Sequence, residues 1–193
     1  MAAETLLGEV DMMETAATRF HCGPARANAA ASSRTAGGIL EGRTWLVGAG
    51  FLALVAAYAV LSQMWVSSDA GWYASLRKPP WQPPDVVFGV IWPLNFLALA
   101  VAGIVLARRT PSWAAVVLVV LAVSVAFALG WAYLFYVPHA LTPAALSLTA
   151  AAAVTWVVLV LAATAVWWLG LVLLPYTVWL SLAASLAWWF AAH

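Results

Sequence analysis

Residues 110–193 read TPSWAAVVLVVLAVSVAFALGWAYLFYVPHALTPAALSLTAAAAVTWVVLVLAATAVWWLGLVLLPYTVWLSLAASLAWWFAAH, without a single Asp, Glu, Lys or Arg. An ionised side chain at the centre of a bilayer costs at least ~2.5 kcal/mol, so a stretch this long without one reads as continuous residence in lipid. One helix cannot account for it, because about 20 apolar residues already cross a hydrocarbon core of ~30 Å. The chain breaks first at Pro138-His139, closing a span that runs from Trp113 to Tyr136. The remainder has to turn back near Ala163–Leu169, which predicts helices at 143–164 and 169–191.

Upstream, two more apolar runs have the length of a span, Thr44–Val66 and Asp85–Ala107, the second ended by Arg108-Arg109-Thr110-Pro111. Only 8% of the chain is charged, against about 25% in a soluble domain, so lipid rather than water is its solvent. The predicted fold is an all-α membrane protein at 44–192. It is a bundle of five transmembrane helices with a proline-rich strap between helices 1 and 2. Residues 1–43 differ, holding Glu4, Glu9, Asp11, Glu14 and Glu41 with four arginines around an Ala/Ser/Gly-rich run. That composition predicts a disordered tail. A net charge of +1 offers no basic field for nucleic acid. Cys22, the one cysteine, excludes an internal disulfide, and with His21 it lacks the further ligands a metal site needs. Two rows of small residues, Ala49-Ala53-Ala57 and Ala122-Ala126-Gly130, allow close backbone approach. They suit either packing within the bundle or the seam of a homodimer.

Thirteen tryptophans need a reason. Trp45, Trp65, Trp113, Trp167, Trp168, Trp188 and Trp189 fall near span ends, where indoles favour the membrane interface. Trp92, Trp131, Trp156 and Trp179 lie further in. Phe88, Trp92 and Phe96 share one helical face, as do Ala128, Trp131 and Phe135, and Tyr176, Trp179 and Ala183. Such faces build either plain packing or the walls of a ligand cavity. Pro93 and Pro175 each deprive a carbonyl one turn back of its helical donor, which membrane helices tolerate where neighbours or a cavity satisfy the freed group. Asn95 adds a polar group inside the second span.

The most specific segment is Trp72-Tyr73-Ala74-Ser75-Leu76-Arg77-Lys78-Pro79-Pro80-Trp81-Gln82-Pro83-Pro84. Residues before proline are pushed towards extended geometry, so this reads as a stiff strap holding Trp81 at its middle. Together with Phe88-x-x-x-Trp92, Trp131-x-x-x-Phe135-Tyr136 and Gly170-x-x-x-x-Pro175-Tyr176-x-x-Trp179, the segment resembles the tryptophan-rich sensory protein/translocator protein family (TspO/MBR, the peripheral benzodiazepine receptor group). The likeness covers about residues 44–190.

The resemblance implies a five-helix bundle, often dimeric, in a multi-pass and bacterial cell membrane setting. It implies binding of tetrapyrroles such as protoporphyrin IX or haem, or of another lipophilic small molecule, with no cofactor required. The site residues it implies are Trp72, Tyr73, Trp81, Trp92, Trp131, Phe135, Tyr176, Trp179 and Ala183. To these the polar residues Arg77 and Lys78, placed to meet propionates, and Asn95 are added. Departures stand at Ala128 and Ala187, where the family usually has asparagine, and in Trp92-Pro93-Leu94-Asn95-Phe96. No Lys or Arg follows Tyr176, so a sterol pattern is unsupported. The bundle offers no buried carboxylate, lysine or paired histidine for general acid–base chemistry. A sensor or carrier of porphyrins is therefore the leading expectation. Light-dependent porphyrin degradation and facilitated transport of a lipophilic ligand are its alternatives.

Overall fold

The computed structural model describes residues 23–193, with side chains from Glu41 onward. The helices are α1 (Gly23–Val66), α2 (Ala70–Ser75), α3 (Asp85–Arg109), α4 (Pro111–Tyr136), α5 (Leu141–Ala165) and α6 (Leu169–Ala192). No strand occurs among the described residues. Five helices are long and apolar enough to cross a membrane: α3 to α6, and α1 over Glu41–Val66. The predicted five-span, all-α architecture is therefore the observed one. The turn placed near Ala163–Leu169 falls at residues 166–168, between α5 and α6.

Two features depart from the sequence reading. The backbone of residues 23–43, where composition suggested a disordered tail, is helical. Pro24 suits the first turn of a helix, and the alanines that follow are strong helix formers. Residues 1–22 of that tail lie outside the described residues. The second departure is α2, inside the proline-rich stretch. Asp69 starts it by accepting the Trp72 backbone N–H at 3.0 Å, an N-cap worth about 1 kcal/mol.

Thr44–His193 forms a compact unit by itself. Within it α5 approaches α4 and α6 most closely, and α1 approaches its neighbours' backbones least. Side-chain size explains the difference. In lipid, helices associate through close fit and interhelical hydrogen bonds, because the surrounding tails are as apolar as leucine. Along α4–α5–α6 the buried positions include Ala128, Ala132, Ala144, Ala145, Ala151, Ala162 and Ala187. Backbones can come near one another across them. Ser124 Oγ adds a buried link, 2.9 Å from the Ala151 carbonyl and 2.7 Å from Thr155 Oγ1. Ser147 Oγ donates to the Phe127 carbonyl at 2.7 Å.

Of the two small-residue rows read from sequence, the α1 row faces outward, while Gly130 of the α4 row lies close against Ser147 of α5. Ala49, Ala53 and Ala57 are exposed on α1, and Ala126 is exposed on α4. The row Ser124-Ala128-Ala132 faces inward instead. On α1 the inward face is bulky: Phe51, Val55 and Tyr58 are buried. Phe51 fills a notch over Gly103 of α3, where an added Cβ would overlap the ring.

This contact predicts a size-dependent defect. Gly103→Ala forces the Phe51 ring or the α1 backbone to shift, an overpacking cost of about 1–3 kcal/mol. It should lower the thermal midpoint of the detergent-solubilised protein. A second change, Phe51→Leu, should recover a good part of the loss, and additive destabilisation in the double variant would show that the two residues do not bear on each other.

Candidate functional site

A cavity of about 680 Å³ opens at the end of the bundle that carries α2, well within the range of small-molecule sites. Its walls come from α1 through Tyr58, Ser62 and Gln63, from α3 through Phe88, Trp92 and Phe96, from α4 through Ala128, Trp131 and Phe135, and from α6 through Trp179, Ala183 and Phe190. α5 contributes no lining residue. It braces α4 and α6 from behind. Gln63, Gly89 and Pro93 line the cavity and are themselves exposed, so its open edge lies between α1 and α3. Trp179 is 8% exposed and meets Phe88 edge-on at 5.1 Å. Trp92 stacks on Phe96 at 5.7 Å, and the Tyr58 ring meets both edge-on.

Above the hollow, α2 and residues 76–84 are tied down by aromatic contacts and a few polar ones. Trp72 stacks on His139 with ring centroids 3.8 Å apart and abuts Phe135 at 5.2 Å. His139 takes a left-handed φ of 53° in the turn between α4 and α5. Its Nε2 lies 3.5 Å from Asp69 Oδ2. Tyr73 touches Phe135, Tyr136 and Phe190, and its hydroxyl accepts a hydrogen bond from Gln82 Nε2 at 3.2 Å. Burial, with Asp85 nearby, pushes the Tyr73 phenol up from its ordinary value, so it stays a neutral hydroxyl at the mouth. Trp189 Nε1 donates to the Arg77 carbonyl at 2.9 Å, and Trp81 meets the Trp189 ring edge-on at 5.1 Å. Lys78 Nζ lies 3.3 Å from Asp85 Oδ1 and 5.6 Å from the centre of the Tyr73 ring.

Of the residues singled out from sequence, Tyr73, Lys78, Trp92, Trp131, Phe135, Trp179 and Ala183 line this cavity. Trp72 lies one layer out, behind Phe135. Trp81 is half exposed on the outer side of the cover. Arg77 contributes its backbone carbonyl to Trp189 and is not among the lining residues. Tyr176 is fully buried in the packed core, and Asn95 is buried outside the lining, so Asn95 does not replace the amide missing at Ala128. The fourth inner tryptophan also lies elsewhere. Trp156 is exposed on α5, with its N–H donating to Ser181 Oγ at 3.2 Å.

Sequence reasoning missed Tyr58 and Asp85. Phe51, Val55 and Tyr58 do follow a 4-then-3 spacing, which was the available signal for an inward face on α1. Asp85, read only as the start of a span, sits in the first turn of α3, where a carboxylate is favoured, and also partners Lys78.

The Trp189 bond fixes the peptide group that trypsin attacks after Arg77. Trp189→Phe removes the donor and keeps an aromatic ring, so local opening should become easier. Trypsin cleavage at Arg77 is expected to speed up on the order of fivefold, measured by mass spectrometry of the folded protein in detergent. An unchanged rate would mean that the bond contributes nothing to holding the segment.

Residues 51–192 match the TspO/MBR family over most of this unit. The chain is 29% identical over 126 residues to Protein CrtK of Rhodobacter capsulatus, covering 63% of this chain and 77% of that protein. It is 27% identical over 152 residues to the Translocator protein of Ovis aries, covering 74% of this chain and 86% of the relative. With five helices able to span a membrane and a family match running from the first span to the end of the last, this multi-pass membrane protein belongs to the TspO/MBR family.

Proposed function

We propose that the cavity binds a planar tetrapyrrole, protoporphyrin IX or haem, and that the protein acts as a membrane sensor or carrier for it. The observation that carries this reading is the convergence of Phe88, Trp92, Trp131, Phe135 and Trp179 from three helices on one hollow of about 680 Å³. Aromatic faces suit a flat conjugated ring, at ~0.5–1.5 kcal/mol per pair. Three such pairs give ~2–4 kcal/mol, short of the ~8 kcal/mol that micromolar binding requires. Burial of the macrocycle supplies apolar area, and a cation at the mouth can meet a propionate. Lys78 is the cation among the lining residues, already engaged by Asp85. No histidine, cysteine or methionine is among the described lining residues, so haem would be held by its ring faces and carboxylates.

The open edge between α1 and α3 favours the carrier form of this reading, since a lipophilic ligand can exchange there with lipid. The name of the sheep relative, Translocator protein, agrees with it. The relative from Rhodobacter capsulatus supports a bacterial cell membrane as the setting.

Protoporphyrin quenching of tryptophan fluorescence tests the binding. Trp92→Ala and Trp179→Ala should each raise the apparent Kd about tenfold, for the loss of roughly 1.4 kcal/mol. Asp85→Asn frees Lys78 for the ligand and should tighten protoporphyrin binding about two- to fivefold at low salt, with the gain shrinking as salt screens the exposed pair. Titrations left unchanged by both tryptophan variants would remove this site from consideration.

A further inference from the structure

The charges of the compact unit are divided unevenly between its two ends. Thr44–His193 holds six residues of the Asp, Glu, Lys and Arg types: Asp69, Arg77, Lys78, Asp85, Arg108 and Arg109. The first four lie at the mouth end, where their formal charges cancel and Lys78 pairs with Asp85. The other two are both cations, and they close α3 at the opposite end of the bundle. Arg108 and Arg109 are exposed, and neither takes part in an ion pair among the described residues.

Cations in the last turn of a helix complement its dipole, which accounts for their sign, and exposed arginines are ordinarily just solvated. Their surroundings here point to a partner. Thr110, the residue after Arg109, opens a shallow groove of about 480 Å³ whose other walls are Trp113, at the start of α4, and Leu161, Thr164 and Ala165, at the end of α5. The Trp113 ring is fixed by its N–H, which donates to the Leu161 carbonyl at 2.9 Å. The Thr110 and Thr164 hydroxyls donate to backbone carbonyls at 3.3 and 2.9 Å, which leaves both oxygens able to accept. Trp167, in the neighbouring turn at residues 166–168, is 74% exposed. Exposed indoles at span ends sit at the depth of lipid headgroups, so the groove and the two arginines share the level of the phosphates.

We propose that this end of the bundle is a docking site for an anionic phospholipid. Its phosphate meets Arg108 and Arg109, and its glycerol backbone and upper acyl chain lie in the groove against Trp113. A guanidinium fork matches the paired oxygens of a phosphate, and Leu161 and Ala165 offer an apolar floor for the chain. Charge complementarity selects the headgroup, because a zwitterionic lipid brings its own cation to the same place. The site stands apart from the cavity and does not depend on what the cavity binds.

Native mass spectrometry of the full-length protein in detergent compares phosphatidylglycerol with phosphatidylcholine carrying the same acyl chains. Each Lys or Arg beside an anionic surface is worth about fivefold in binding. Wild type should therefore bind its first phosphatidylglycerol about tenfold more tightly than phosphatidylcholine. Arg108→Gln combined with Arg109→Gln should cut that preference below about twofold and leave phosphatidylcholine binding unchanged. Arg77→Gln, at the mouth end, should keep the preference intact. Trp113→Ala should weaken both lipids about threefold, since they share the groove. Equal binding of the two lipids by wild type, or a preference that survives the double glutamine variant, overturns the proposal. So does a preference lost equally to Arg77→Gln, or lipid binding indifferent to Trp113→Ala. Displacement of the lipid by excess inorganic phosphate would assign the arginines to a soluble anion and overturn it as well.

Discussion

Lipid gives helices no hydrophobic reason to pack against one another, so the bundle is held by closeness of fit, and here the fit is uneven. Alanine-rich faces let α5 lie tightly between α4 and α6. Phe51, Val55 and Tyr58 hold α1 at side-chain distance from its neighbours. The same contrast creates the cavity, because one half of the bundle is filled by backbone and the other is spanned by rings that do not close the space between them. The site is therefore a consequence of residue size along each helix, and needs no special loop to define its walls.

The cover above the cavity is built on a different principle. It lies at the end of the spans, where polar groups are affordable, and each tie pairs an aromatic ring with a hydrogen bond or charge. Trp72 joins His139 and Asp69, Trp189 joins Arg77 and Trp81, and Tyr73 joins Gln82 and Lys78. These ties draw on the α4–α5 turn and the C-terminal end of α6. The cover is thus registered to the tight half of the bundle, and the looser α1 enters the site below it.

Much of this was legible in the chain itself. Spans in lipid are announced by length and by absence of charge, so their limits could be read to within a few residues at most ends. The grouped residues of α3 and α4 do line one cavity together, as do Trp179 and Ala183 of α6, while Tyr176 of the same group lies in the core instead. Spacing does not say what the face looks at. A soluble helix marks its outer side with charge, but here both sides are apolar. Trp156, looking into lipid, reads like Trp179, looking into the cavity. For the same reason the alanines of α1 suited packing within the bundle as well as a homodimer seam, and Asn95 looked like a pocket residue. The helical backbone of residues 23–43 was hidden by their polar and glycine content. The α2 turn was hidden by the prolines that follow it.

The Phe51–Gly103 notch has a mechanical consequence. It seats one ring of α1 against bare backbone of α3, while nearer the mouth the Tyr58 ring meets those of Trp92 and Phe96 edge-on. Backbone contact thus fixes α1 at one point, and the width of the cavity beside it is set by side chains.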